Sequence, residues 1–453
     1  MCTVTDEQKI YELSKIWKEA EYNFAFWDKV DLDWDEEYRK ALKRVLATPD
    51  LYQYYRELSR FVALLGDGHT TLTFPMDIMQ DPEYFSMLPV YLWRFGEDIA
   101  VINVTEEYKD KIALYSVLKK IDDIDASEYV RENCYPYIWH ANEEACGIAA
   151  MSELMFGRAG SGAVYTFEKN GEEYSVQLTR ENPVNMKWSN TDYAIRSDIQ
   201  KKPVCSSDSF TLEMTDDNIA ILKMTTFSDN SMPEKIYEQF DELKKAVGYI
   251  IDVRANTGGN STNSDAVAAL FIKGEFISCA GESQVYEPTY KAWAVFRDDL
   301  KNLTPDELDD KYSEDDIKMY RMSRHIFYRS ESDNAEVNAP GKLDGPIVVL
   351  MNEYTISAAE DFVDVMKMYT DAVFIGNHTA GSDGQPLVEN LESGGSFRIC
   401  TRRCIAQNGE DIYNKGFSPD VKVVGTLGDF IDRRDKTMEK GIRILREKLS
   451  VKK

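Results

Sequence analysis

The chain has 453 residues, with 79 acidic against 53 basic side chains and a formal net charge of −26. That excess excludes nucleic acid and anionic membrane surfaces as electrostatic partners, and no apolar run approaches the roughly 18 residues of a membrane span. The length predicts two or three domains, and 43% hydrophobic with 12% aromatic residues is enough for sizeable cores. Seven scattered cysteines point to a reduced compartment. The start, Met1-Cys2-Thr3, lacks the form of a signal peptide, so the cytoplasm is expected. A lipoprotein anchored at Cys2 after loss of a leader is the alternative. Cys400 and Cys404 are the only close cysteine pair, too weak a spacing to predict a metal.

The first eighty residues read as helical. Ile10, Leu13, Trp17 and Ala20 recur at helical spacing behind a Thr5/Asp6 cap, and Tyr22, Phe24, Phe26 and Trp27 add an aromatic cluster. Leu51–Leu65 reads as a second helix that ends in the turn Gly66-Asp67-Gly68-His69-Thr70. From about Leu88 to Arg180 short apolar runs predict a β-rich module, with Asn170-Gly171 as a hairpin turn and a helix over Cys146–Met155. Residues 181–207 read as a linker.

An alternating series follows: strands at Ile219–Met224, Tyr249–Val253, Ile347–Met351 and Ala372–Ile375, and helices at Pro233–Val247, Ala266–Ile272 and Ala358–Met368. This is the pattern of crossover units on a sheet. The acidic stretch Tyr286–Asn338 interrupts it as a helical insertion, with a helix start at Thr304-Pro305-Asp306-Glu307, and Phe430–Leu449 is an amphipathic tail helix. The expected division is residues 1–82 (helical), 83–182 (β-rich), 205–426 (α/β core) and 427–453 (tail helix).

Two of these strands stop at turns that carry chemistry. Tyr249–Val253 runs into Arg254-Ala255-Asn256-Thr257-Gly258-Gly259, whose glycine N–H groups are bare enough to face a ligand. Ile347–Met351 leads to Thr355-Ile356-Ser357-Ala358-Ala359-Glu360, which places Ser357 at a strand-to-helix turn and a positive helix end. Taken alone, Ser357 reads first as a helix N-cap, and the glycines as residues that permit a tight turn. Taken together, a serine beside several backbone donors suits a nucleophile with an oxyanion hole.

These segments resemble the S41 serine peptidases, the tail-specific or C-terminal-processing proteases and their tricorn-core relatives. Asp252–Gly259 is similar to the family's D-L-R-x-N-x-G-G segment and Ser357–Glu360 to its S-A-x-E segment. Gly376-x-x-Thr379-x-Gly381 and Gly416-Phe417-Ser418-Pro419-Asp420-Val421 are similar to its closing turns. The order and spacing match from about residue 215 to 425. The resemblance implies a crotonase-like or ClpP-like α/β core, an N-terminal helical domain, and a PDZ-like reading of the β-rich module.

It also implies the apparatus. The processing proteases use a Ser-Lys dyad with the lysine in T-x-G-K-G, but here Ser382 stands in the lysine's place, and a neutral hydroxyl cannot serve as the base. Tricorn-like members use an N-terminal histidine, and His69 matches it, with an unperturbed pKa near neutrality. His378 is the competitor; His140 and His325 match nothing. The expected site is therefore nucleophile Ser357, base His69, and oxyanion donors Gly258 or Gly259 with Ala358. Glu410 is the expected fourth acid, with Asp411 as its rival. Asp67 is read chiefly as a turn former, and Glu360 as a cap of its own helix.

The implied reaction is peptide hydrolysis by acyl transfer, with a peptide or unfolded polypeptide as substrate and neither metal nor organic cofactor. Homo-oligomerisation is open. A non-catalytic binding protein on the same fold and an esterase-like hydrolase are the alternatives.

Overall fold

The computed structural model of the protein describes residues 4–139, 142–190, 199–300, 303–304, 307–308, 311–323, 328–335 and 337–451. His140, His325, and Pro305 and Asp306 of the expected helix start lie outside them.

Helix α1 (Asp6–Asn23) begins at Thr5, which forms a capping box with Gln8. Its buried face is Leu13, Ile16 and Ala20, while Ile10 turns to solvent. Helix α2 (Trp34–Leu46) has no counterpart in the helices read from the sequence. Its charged run Asp35-Glu36-Glu37-Tyr38-Arg39-Lys40 conceals a thin buried face of Trp34, Ala41 and Val45. Helix α3 (Leu51–Ala63) starts on the side chain of Asp50. These helices share one core with Leu391, Phe397 and Ile399 from far down the chain. They are thus bound to the body of the molecule, and the chain leaves them through the Gly66–Thr70 turn into β1 (Thr71–Thr73).

The β-rich module is an antiparallel sheet of β2 (Val90–Phe95), β3 (Asp98–Val104), β4 (Val117–Ile121), β5 (Gly162–Lys169) and β6 (Glu172–Thr179), in that order. The β5–β6 turn is the expected Asn170-Gly171, both residues at positive φ. Helices α4 (Ala126–Asn133) and α5 (Glu143–Met155) cover the sheet, and Leu92, Val101, Leu118, Met151 and Phe167 fill the space between. Helix α4 was not expected.

The strands that, with β1, build the other two large sheets are β7 (Lys201–Ser206), β8 (Phe210–Thr215), β9 (Ile219–Met224), β10 (Gly248–Asp252), β11 (Ile277–Gln284), β12 (Tyr328–Asn334), β13 (Ile347–Met351), β14 (Val373–Gly376), β15 (Gly384–Asn390), β16 (Ser396–Ile405) and β17 (Val421–Lys422). The principal sheet has the order β7-β8-β9-β10-β13-β14-β17, parallel from β9 onward. Its centre, β10 and β13, is buried along its whole length, as the unbroken apolar runs require. The end of the expected linker is in fact β7. Pro203 and a bulge at Pro203/Cys205 keep that strand at the edge.

Helices α6 (Ser261–Ala268) and α7 (Ala358–Tyr369) pack on one face of the sheet. Helix α8 (Lys436–Val451) covers the other with Ile442 and Leu445, preceded by a separate short helix at Leu427–Ile431. The helix expected over 233–247 is broken into Met232–Tyr237 and Phe240–Leu243. A second sheet runs β1-β16-β11-β12, with β15 also on β16. The described part of the expected insertion includes the α-helices Pro288–Ala294 and Glu314–Ser323, before β12 returns to pair with β11. Strand β1, which follows the His69 turn, is therefore hydrogen-bonded to a strand that follows the Ser357 helix.

Candidate active site

The carboxyl ends of β10, β13 and β14 meet at one place, the usual position of a site on a parallel sheet. Backbone bonds join the three turns there. Ile356 N–H donates to Asn256 O (3.1 Å), Ala380 N–H to Thr355 O (3.0 Å) and Ser357 N–H to Ser382 O (3.0 Å). The Thr355 hydroxyl adds a bond to Val253 O at 3.0 Å. Arg254 holds the first turn from below, paired with both Asp252 and Asp435.

Ser357 is the N-cap of α7 at φ 59°, ψ −133°, a left-sided conformation that costs a non-glycine residue. Its hydroxyl does not cap the helix, and it makes no hydrogen bond among the described residues. The side chain is half-buried. Thus the backbone carries strain in order to hold a hydroxyl that has no hydrogen-bond partner among the described residues. Gly258 explains how the neighbouring turn comes so close. A methyl group there would lie 2.7 Å from Ser357 Cβ and 2.9 Å from Ala358 N, so only hydrogen fits.

The expected oxyanion donors divide. The Gly258 N–H already donates to Asn256 Oδ1 at 3.0 Å, so this residue supplies close approach and its donor is occupied. The N–H groups of Gly259 and Ala358 have no acceptor among the described residues.

Glu360 does more than the expected capping, and in a different place. It is fully buried, and its carboxylate accepts from the Thr379 hydroxyl (2.6 Å), Gly381 N–H (2.8 Å) and Ser382 N–H (2.8 Å). It thereby clamps the whole Thr379–Ser382 turn against the first turn of α7. Burial raises its pKa to about 7, against the pull of those donors. On the held turn, Ser382 Oγ lies 2.8 Å from His69 Nδ1. His69 is buried, and through Ser382 it comes within one residue of Ser357.

The other candidates fall elsewhere. Glu410 is exposed; its N–H caps on Asn408 at 2.9 Å, and its carboxylate has no partner among the described residues. Its like charge disfavours the ionised form of buried Asp364. The geometry thus gives no contact between Glu410 and His69, and Asp411 is engaged by Lys29 and Lys415. Instead Tyr413 Oη (3.2 Å) and Asn414 Nδ2 (3.1 Å) both donate to Gly66 O and hold the His69 loop. His378 faces Ser418 at 3.3 Å.

Asp67 is buried, with neither carboxylate oxygen in a well-formed hydrogen bond; the His69 and Thr70 N–H groups and the Thr70 hydroxyl are its polar neighbours. Burial pushes it up to about 6. The roles of Ser382 and Glu360 had no local signal in the sequence, because both depend on a turn brought back from twenty residues away. The missing lysine at position 382 was the one available hint.

Residues 218–423 match the model of peptidase family S41. The chain is 25% identical over 257 residues to the carboxy-terminal processing protease CtpA of Bacillus subtilis, covering 56% of this chain and 43% of that protein. It is also 25% identical over 214 residues to a carboxy-terminal-processing protease of Bartonella bacilliformis, covering 47% and 39% respectively. The chain therefore spans less than half the length of these relatives. Among solved structures, mature CPAF complexed with lactacystin shares the fold, with a TM-score of 0.69, 15% identity and 97% of each chain covered.

Proposed function

We propose, on the premise that this chain belongs to peptidase family S41 through residues 218–423, that it is a serine-type peptidase cleaving peptides or unfolded polypeptides by acyl transfer. The observation that carries this is the strained Ser357: a hydroxyl at a helix start that, like the adjacent Ala358 N–H, has no hydrogen-bond partner among the described residues.

In the proposed reaction His69 takes the Ser357 proton as Ser357 Oγ attacks the scissile carbonyl. The carbonyl oxygen becomes an oxyanion that the N–H groups of Ala358 and Gly259 receive. The tetrahedral intermediate collapses, His69 gives the proton to the departing amine, and the acyl group stays on Ser357. Water, deprotonated by His69, then releases it. An extended substrate has a place to dock: among the described residues β1 is paired on one edge only, with Ser396–Arg398, and it begins two residues after His69.

The test is hydrolysis of an unfolded protein or an internally quenched peptide. Ser357→Ala and His69→Ala should each lose at least ~10³-fold in kcat/KM. A Ser357→Ala variant with unchanged activity would remove Ser357 from the mechanism.

A further inference from the structure

We infer that Ser382 is the positioning residue of His69, standing where a Ser-His-acid arrangement places its carboxylate, and that Glu360 holds it there. This rests on the reading of Ser357 and His69 as nucleophile and base.

The geometry is specific. Ser382 is 2% exposed, and three of its groups are engaged at once. Its N–H is held by Glu360 Oε2 at 2.8 Å, its carbonyl receives the Ser357 N–H at 3.0 Å, and its Oγ meets His69 Nδ1 at 2.8 Å. One residue thus fixes both the nucleophile's backbone and the base's ring. The two acids weighed from the sequence, Asp67 and Glu410, are not hydrogen-bonded to that nitrogen. Asp67 is turned to the backbone N–H groups of its own loop, and Glu410 is at the surface.

An imidazole accepts a proton at one nitrogen only if the other carries the hydrogen, and the partner of that second nitrogen sets the tautomer. With Nδ1–H donated to Ser382 Oγ, Nε2 keeps the lone pair. As Ser357 Oγ bonds to the carbonyl carbon, its proton passes to Nε2, and the imidazolium retains its Nδ1–H bond to Ser382. When the C–N bond breaks, the Nε2 proton leaves with the amine. Ser382 gains and loses nothing; it holds the ring. The glutamate supplies the rigidity. Both its oxygens accept from donors on the Thr379–Ser382 turn, so a glutamine there would set an amide donor against an N–H donor.

The experiment reads the tautomer directly. In the Ser357→Ala background, protein with ¹⁵N-labelled histidine has four imidazoles, and His69 is assigned by its loss in His69→Gln. The expected result is a single neutral Nδ1–H tautomer. Ser382→Ala should mix the tautomers, Ser382→Thr should restore one, and Glu360→Gln should mix them without altering residue 382. With Ser357 present, Ser382→Ala should lower kcat by about 10²-fold and leave KM within about twofold, the scale of a disturbed general base. An unchanged tautomer in both Ser382→Ala and Glu360→Gln, with unchanged kcat, overturns the assignment. The nitrogen readout is made without a nucleophile, so it stands or falls apart from the peptidase reading.

Discussion

The two halves of the candidate site are built by opposite means. The Ser357 half belongs to the parallel sheet: three consecutive strand ends, joined by backbone bonds, with a buried carboxylate whose oxygens all find donors. The His69 half arrives on a loop from the N-terminal helices, and its buried carboxylate, Asp67, has no well-formed partner. The nucleophile is therefore held by local structure and the base by long-range packing. The cores of Phe61, Phe397 and Ile399 keep that loop in place, together with the Tyr413 and Asn414 bonds to Gly66 O. Catalysis requires both halves, but each should fail differently.

Short of removing Ser357 or His69 themselves, the largest expected effect breaks the nucleophile half. Gly258→Ala forces a methyl group into Ser357 Cβ at a positive-φ position, and should cost at least ~10²-fold in kcat, the scale of a disturbed oxyanion site. Activity within threefold of wild type would mean that the two turns are not in contact during the reaction.

An intermediate effect sharpens the contrast on the base half. Asp67 sits at about 6 when folded against 3.8 as its ordinary value. The folded state therefore holds a proton that the unfolded chain releases, and the cost of ionising Asp67 grows as pH rises from about 4 to about 6 and is complete above that. It is on the order of 2–3 kcal/mol by linkage. In Asp67→Asn the midpoint of thermal unfolding should gain on wild type as pH rises across that window and level off above it. A difference independent of pH would show that the buried charge is compensated. The smallest effect is at the surface: Glu410→Gln should change kcat/KM by less than about twofold, because the side chain touches no part of the site.

What could be read from the sequence follows the same division. Ser357, Gly258 and Gly259 were legible because a strand, a turn and a helix start lie within a dozen residues of one another. The parallel strands were legible as apolar runs, and the Asn170-Gly171 hairpin from its turn residues. Helix α2 was hidden by its charge, and β7 by a proline that only an edge position tolerates. Glu410 was chosen for its nearness in sequence to a closing turn, yet its side chain is exposed and nearness along the chain does not set where a loop side chain points. Ser382 and Glu360 contact across the fold, so no local pattern announces them.

The most direct measurement is fluorophosphonate labelling of the purified, folded protein, with the adduct mapped by mass. A single adduct on Ser357, lost in Ser357→Ala and strongly reduced in His69→Ala, is the predicted result, since it requires an activated serine driven by the histidine loop. No adduct on Ser357 in folded wild-type protein, or equal labelling in His69→Ala, would contradict it.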